Sequence, residues 1–206
     1  MPKLTNRSQN RVIGLTGPIG AGKNEVARLL AKAGATVIEV DQVAHELYLR
    51  DYSLWQKLVE SFGAVILKKG GAIDRQKLGA IVFADPKKLK QLNKLVHPVL
   101  KKEVERKIRD LVNGTRGTGH GKRIIVVNAA LLKEIGLIPL VDEVWSVTAS
   151  EKVRLARLLK KGLLKKQASE RMKAQPSAAS FKRIADEIIE NNGSLPDLKK
   201  LVSLAF

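Results

Sequence analysis

The run Gly17-Pro18-Ile19-Gly20-Ala21-Gly22-Lys23 reads G-x-x-x-x-G-K, a spacing suited to cradling phosphate. Glycines reach backbone angles that other residues resist, so the chain can wrap an anion with its N–H groups. A helix beginning where the loop ends adds its positive pole. The Lys23 ammonium then reaches toward β- and γ-phosphates. Gly17, Gly20, Ala21, Gly22 and Lys23 are therefore candidate phosphate binders, with Asn24 and Glu25 following directly. The plain alternative is a turn with a solvated lysine. Asn24 stands where this pattern usually has Ser or Thr, whose hydroxyl coordinates Mg²⁺. An amide oxygen is a weaker ligand for a hard cation, so the position bears on metal handling more than on nucleotide docking.

Asp41 closes a second apolar run, Thr36–Val40, which is interrupted only by Glu39. In open α/β sheets the carboxyl ends of strands face the ligand crevice. A carboxylate there could take a proton from an acceptor hydroxyl, bind Mg²⁺, or cap a helix starting at Gln42.

The elements that must position these residues follow from periodicity. Val12–Thr16 predicts a buried strand, Asn24–Ala33 a helix, and Thr36–Val40 a second strand. Strand, glycine loop, helix and strand make a βαβ unit with a parallel sheet. From Tyr52 to Val112 the pattern is almost wholly helical. Leu54, Trp55, Leu58, Val59 and Phe62 form one apolar face, with Trp55 and Phe62 read as core. Lys77–Phe83 forms another helix, and a long segment from Pro86 to near Asn113 is expected to break at His97-Pro98. Further strands are expected at Ile124–Val127, Glu143–Val147 and Glu187–Glu190, and helices at Glu151–Lys160, Leu164–Lys173 and Leu195–Leu204. Gly114–Gly121 reads as a loop. Alternating strands and helices predict a doubly wound α/β fold.

Composition narrows the partners. The chain of 206 residues carries 38 Lys and Arg against 20 Asp and Glu, a formal charge of +18. Such a surplus favours polyanionic company. It is spread along the whole chain, and with two Trp, two Tyr and four Phe there is little to stack on bases, which argues against nucleic acid. With no cysteine, disulfide and thiol chemistry are excluded. The apolar runs are too short for a membrane span, and Met1–Asn10 lacks the apolar stretch of a secretory signal, so a cytoplasmic protein is expected.

Residues 11–206 resemble the dephospho-CoA kinase family. Ile13-Gly14-Leu15-Thr16-Gly17 with Ile19-Gly20 and Gly22-Lys23 is similar to its opening, and Val37-Ile38 leading to Asp41 to its second strand. Ile73-Asp74-Arg75, Lys77-Leu78-Gly79, Val82-Phe83-Ala84-Asp85-Pro86, Leu92-Asn93 and His97-Pro98 resemble its middle signature. The resemblance implies a P-loop NTPase fold of three α/β/α layers with a parallel sheet. It implies one domain over 11–206, with a nucleotide-binding core at 11–50 and 115–206, a helical acceptor-binding insertion at 51–114, a lid at 160–178, and an extension at 1–10. The implied activity is phosphorylation of the ribose 3′-hydroxyl of dephospho-CoA by ATP with Mg²⁺, in a monomer or small homo-oligomer.

By position, the resemblance makes Asp41 the base, with Lys23 and the loop amides holding the ATP phosphates. Thr16, Asp74, Arg75 and His97 fall to the acceptor side. Arg154 and Arg157, three apart on one helix, precede the lid, which ends in the Arg171 and Gln175 pattern. Asn191, before Gly193-Ser194-Leu195, falls near the adenine. Bland roles stand beside these: Asp74 as a helix cap, Arg157 as a solvated face residue, and Asn191-Asn192-Gly193 as a turn. The chain departs from the family pattern at Asn24 and again at Asn128, where the family often has Asp. Both positions near the metal have become Asn, which suggests a compensated pair.

Overall fold

Residues 10–113 and 123–205 are described by the computed structural model, so the expectations for residues 1–9 and for Gly114–Gly121 lie outside the described residues. The β-branched runs form strands β1 (Asn10–Thr16), β2 (Thr36–Glu39), β3 (Arg123–Asn128), β4 (Glu143–Thr148) and β5 (Glu187–Glu190). They pair in parallel in the order β2-β3-β1-β4-β5. Helices α1 (Lys23–Lys32), α6 (Glu151–Lys160), α7 (Lys165–Lys173), α8 (Ala178–Arg183) and α9 (Leu195–Ala205) alternate with them. Between β2 and β3 stand α2 (Val40–Arg50), α3 (Tyr52–Phe62), α4 (Arg75–Ala84) and α5 (Pro86–Asn113).

Alternation along each strand sends side chains to opposite faces, and this builds two cores. Val12, Ile125, Val127 and Val144 face α2–α5, packing on Leu54, Leu58, Val104 and Ile108. Ile13, Leu15, Val126, Trp145 and Val147 face the other way, onto Val26 and Leu30 of α1 and Leu198 and Val202 of α9. Trp55 and Phe62 pack against the first core, as the sequence suggested.

Two expectations are corrected. The break at His97-Pro98 does not occur, since α5 runs through Pro98 from Pro86 to Asn113. Proline inside a helix costs about 3 kcal/mol. The buried stripe Val96, Leu100, Val104 and Ile108 offsets it, because burying each such side chain contributes about 1.5–3 kcal/mol. The second correction concerns Asp41. Strand β2 stops at Glu39 and α2 begins at Val40, so Asp41 lies inside the first turn of α2 instead of capping a helix from Gln42. Asp41 is exposed there. The short helix α8 was not foreseen.

Candidate active site

Parallel register sets the site. Glu39 of β2 and Leu15 of β1 both stand opposite Asn128 of β3, so the carboxyl ends of three strands meet where the glycine loop leaves Thr16. Gly22 is held at φ 98°, and a Cβ there would lie 2.2 Å from Asn191 Nδ2. Glycine is thus required by both conformation and space. Helix α1 begins without a side-chain cap. Among the described residues, no protein acceptor takes the N–H groups of Gly20, Gly22, Lys23 or Asn24. Four open donors at a helix start form an anion cradle. Ala21 was expected to join them, but its N–H turns inward to Pro18 O at 3.1 Å.

The Lys23 ammonium is parked on strand β3. Its Nζ donates to Asn128 Oδ1 at 2.6 Å and to Asn24 Oδ1 at 3.3 Å. Burial holds the Lys23 pKa below its ordinary value, while the charges of Asp41 and Glu39 oppose that shift. Asn128 is 1% exposed. Its Nδ2 donates to Glu39 Oε2 at 2.6 Å and to Asn24 Oδ1 at 3.4 Å. The two asparagines therefore touch, and a carboxylate from β2 completes the group. Sequence reasoning missed Glu39. The signal was there, an acid as the last residue of an otherwise apolar strand, but only the register reveals its partner.

This donor set suits a hard cation. Glu39 offers a carboxylate and Asn24 an amide oxygen that Lys23 and Asn128 hold only at 3.3 and 3.4 Å, while Asn128 has its oxygen on Lys23 at 2.6 Å. Among the described residues, no group of three or more His, Cys, Asp or Glu forms a cage. One carboxylate and one amide oxygen are donors of the kind that Mg²⁺ takes together with water and substrate phosphate. Since Asn24 and Asn128 share one hydrogen-bonded cluster, their substitutions should couple. Asn24→Ser and Asn128→Asp, separately and together, are expected to be non-additive in kcat and in Mg²⁺ dependence. Strict additivity in a steady-state cycle would dissolve the pair into two unrelated changes.

The loop is gripped from its other side. Arg157 Nη1 donates to Ala21 O at 3.1 Å and Gly20 O at 3.5 Å, and Asn191 Nδ2 donates to Ala21 O at 2.8 Å. Gln175, at the end of the expected lid, accepts from Ile19 N at 2.6 Å. Arg154 packs its backbone on Gly20, and its Nε is buried with no hydrogen-bond partner among the described residues. Arg171 is exposed on α7. Glu25 pairs with Arg28 one turn along α1.

The expected acceptor residues are spread more widely. Thr16 is fully buried and its Oγ1 donates to Ala130 O at 3.2 Å. Asp74 caps α4, accepting from Gln76 N at 3.0 Å and Lys77 N at 3.3 Å. Arg75 lies close enough to Tyr48 to lower a phenol pKa that burial raises. Tyr48 is seven residues on from Asp41, two turns along one helix face, so Arg75 brings positive charge to the Asp41 side of α2. His97 places Nδ1 3.0 Å from Glu134 O, and burial lowers its pKa. The neutral ring then donates from Nδ1 and leaves Nε2 as an acceptor. Among the described residues, Asp41 has no hydrogen-bond partner and is open to an incoming hydroxyl.

An all-parallel sheet in this order, with a phosphate cradle at the tip of its central strand, is a P-loop kinase fold. The solved structure of dephospho-CoA kinase from Campylobacter jejuni shares it, with a TM-score of 0.68, 23% identity, and 96% of each chain covered. The dephospho-CoA kinase family model matches residues 11–197. Dephospho-CoA kinase of Bacillus licheniformis is 40% identical over 187 residues, covering 90% of both chains. That of Carboxydothermus hydrogenoformans is 36% identical over 192 residues, covering 93% of this chain and 90% of its own. The chain belongs to the dephospho-CoA kinase family.

Proposed function

We propose that this chain transfers the γ-phosphoryl group of ATP to the ribose 3′-hydroxyl of dephospho-CoA, giving coenzyme A and ADP in the cytoplasm. The observation that carries the reading is the convergence, at the carboxyl edge of one sheet, of open loop amides, Lys23 and an exposed Asp41 whose charge acts on Lys23 and which has no hydrogen-bond partner among the described residues. In-line phosphoryl transfer asks the protein mainly for positioning and charge stabilisation. Asp41 orients the hydroxyl and accepts its proton. Lys23 leaves Asn128 to follow the γ-phosphate, while the Gly20 and Gly22 amides fix the phosphate chain. Mg²⁺ held by Asn24 and Glu39 with the ATP phosphates would neutralise charge on the β- and γ-oxygens. Arg154, whose Nε lacks a partner among the described residues, supplies further positive charge over the loop. The helices between β2 and β3 receive the pantetheine arm, with Arg75 near the acceptor's anionic groups.

Acceptor specificity tests the role of those helices. Dephospho-CoA is expected to exceed adenosine 5′-monophosphate, which lacks the pantetheine arm, by a factor of about a hundred or more in kcat/KM, since remote binding energy supports the chemical step. Equal efficiency with the two acceptors would remove the insertion from substrate recognition.

A further inference from the structure

We propose that Arg157 and Asn191 serve phosphate binding through the loop backbone, by gripping the Ala21 carbonyl so that the Gly22 N–H is aimed into the cradle. The inference rests on the ATP reading above and deepens it.

Three side-chain bonds close a triangle. Arg157 Nη1 and Asn191 Nδ2 both donate to Ala21 O, at 3.1 and 2.8 Å, and Arg157 Nη2 donates to Asn191 Oδ1 at 3.2 Å. Asn191 is 5% exposed, so its amide works in a dry setting where hydrogen bonds are strong. The Ala21–Gly22 peptide is trans, like the others described. In a trans peptide the C=O and N–H point in opposite directions. Fixing the Ala21 carbonyl therefore fixes the Gly22 N–H, one of the four loop and helix-start donors without a protein acceptor among the described residues.

The grip explains Gly22 as well. Asn191 comes so close that any Cβ at residue 22 would meet its Nδ2 at 2.2 Å. The end of β5, the body of α6 and the loop thus form one unit. Among the described residues, Arg157 makes no ion pair with a carboxylate. Its charge lies against the loop's outer carbonyls and adds to the positive potential of the cradle. Arg157 and Asn191 are on this account positioning residues, acting on phosphate through Ala21 and Gly22.

Inorganic tripolyphosphate, which has neither base nor ribose, separates this role from direct contact with adenosine. Calorimetric affinities for ATP and for tripolyphosphate would be measured with wild type, Asn191→Asp and Arg157→Lys. Asn191→Asp removes the donor to Ala21, and Arg157→Lys keeps the charge but not the two-pronged grip. Both ligands are expected to lose affinity by the same factor, about tenfold per variant, as for the loss of one hydrogen bond to an organised site. KM for ATP should rise while KM for dephospho-CoA holds. A loss confined to ATP, with tripolyphosphate unchanged, overturns the proposal and returns both residues to the nucleoside. So does a wild type that binds ATP but not tripolyphosphate. A wild type that binds neither ligand overturns the ATP reading itself. Should Asn191→Asp fail to fold, Arg157→Lys decides alone, with its unliganded melting curve as the check.

Discussion

Asp41→Asn is expected to lower kcat by about 10²–10⁴-fold, the usual contribution of a positioned general base. ATP affinity should change far less than kcat, because Asp41 lies on α2 and, among the described residues, makes no hydrogen bond to the loop. Asparagine preserves shape and hydrogen bonding but cannot take the proton. The site also fixes what else should hold. The charge of Asp41 acts on Lys23, so the variant weakens one of the two carboxylates that favour the charged lysine. Nucleotide binding and rate must therefore be measured separately. A variant that keeps its kcat would show that the acceptor hydroxyl needs no carboxylate base, and the assignment of Asp41 would fall.

Lys23→Met should lower kcat by about 10²–10³-fold, the scale of losing one preorganised donor to developing charge. KM for ATP should rise too, since Lys23 opens the helix at the cradle and carries a positive charge there. Stability carries a second signature. Burial lowers the Lys23 pKa from its ordinary value of 10.5. A base with a lowered folded pKa costs stability while it is protonated, and that cost is lifted as pH climbs from the lowered value to the unfolded one. Wild type should therefore gain stability relative to Lys23→Met as pH approaches 10.5. Denaturant unfolding at several alkaline pH values reads this directly. Parallel curves for the two proteins would mean that the lysine is not desolvated in solution. The methionine variant also leaves Asn128 Oδ1 with one partner fewer, so the pH trend is the informative quantity.

Local chemistry was legible in the sequence and tertiary adjacency was not. The glycine loop, the strands beside it and the amphipathic α3 follow from spacing alone, because their causes lie within a few residues. Helix α6 follows in the same way, down to its ends at Glu151 and Lys160. The start of α2 was misplaced because Val40 is apolar and β-branched, which reads as strand, although its backbone already turns into the helix. Pro98 reads as a break because a local rule cannot see the buried stripe that holds α5 together. Glu39 escaped notice because its meaning depends on the register that sets it against Asn128, 89 positions away. The same holds for Asn191 and Ala21, 170 positions apart. The resemblance brought Asn191, Arg157 and Gln175 into view, but not the backbone atoms of the loop to which they are tied.

The two asparagines sharpen what the family resemblance leaves open. Asn128 lacks the charge of an aspartate, and Glu39 stands beside it with a carboxylate. Asn24 lacks a hydroxyl and offers an amide oxygen to the same cluster. The carboxylate at these strand ends is that of Glu39, supplied from β2.

The central claim is tested most directly by incubating the purified chain with ATP, Mg²⁺ and dephospho-CoA and following the product by phosphorus NMR. The account predicts a new 3′-phosphomonoester resonance, growing in step with ADP and matching authentic coenzyme A. ADP without that resonance, or phosphate on any other hydroxyl, would contradict it.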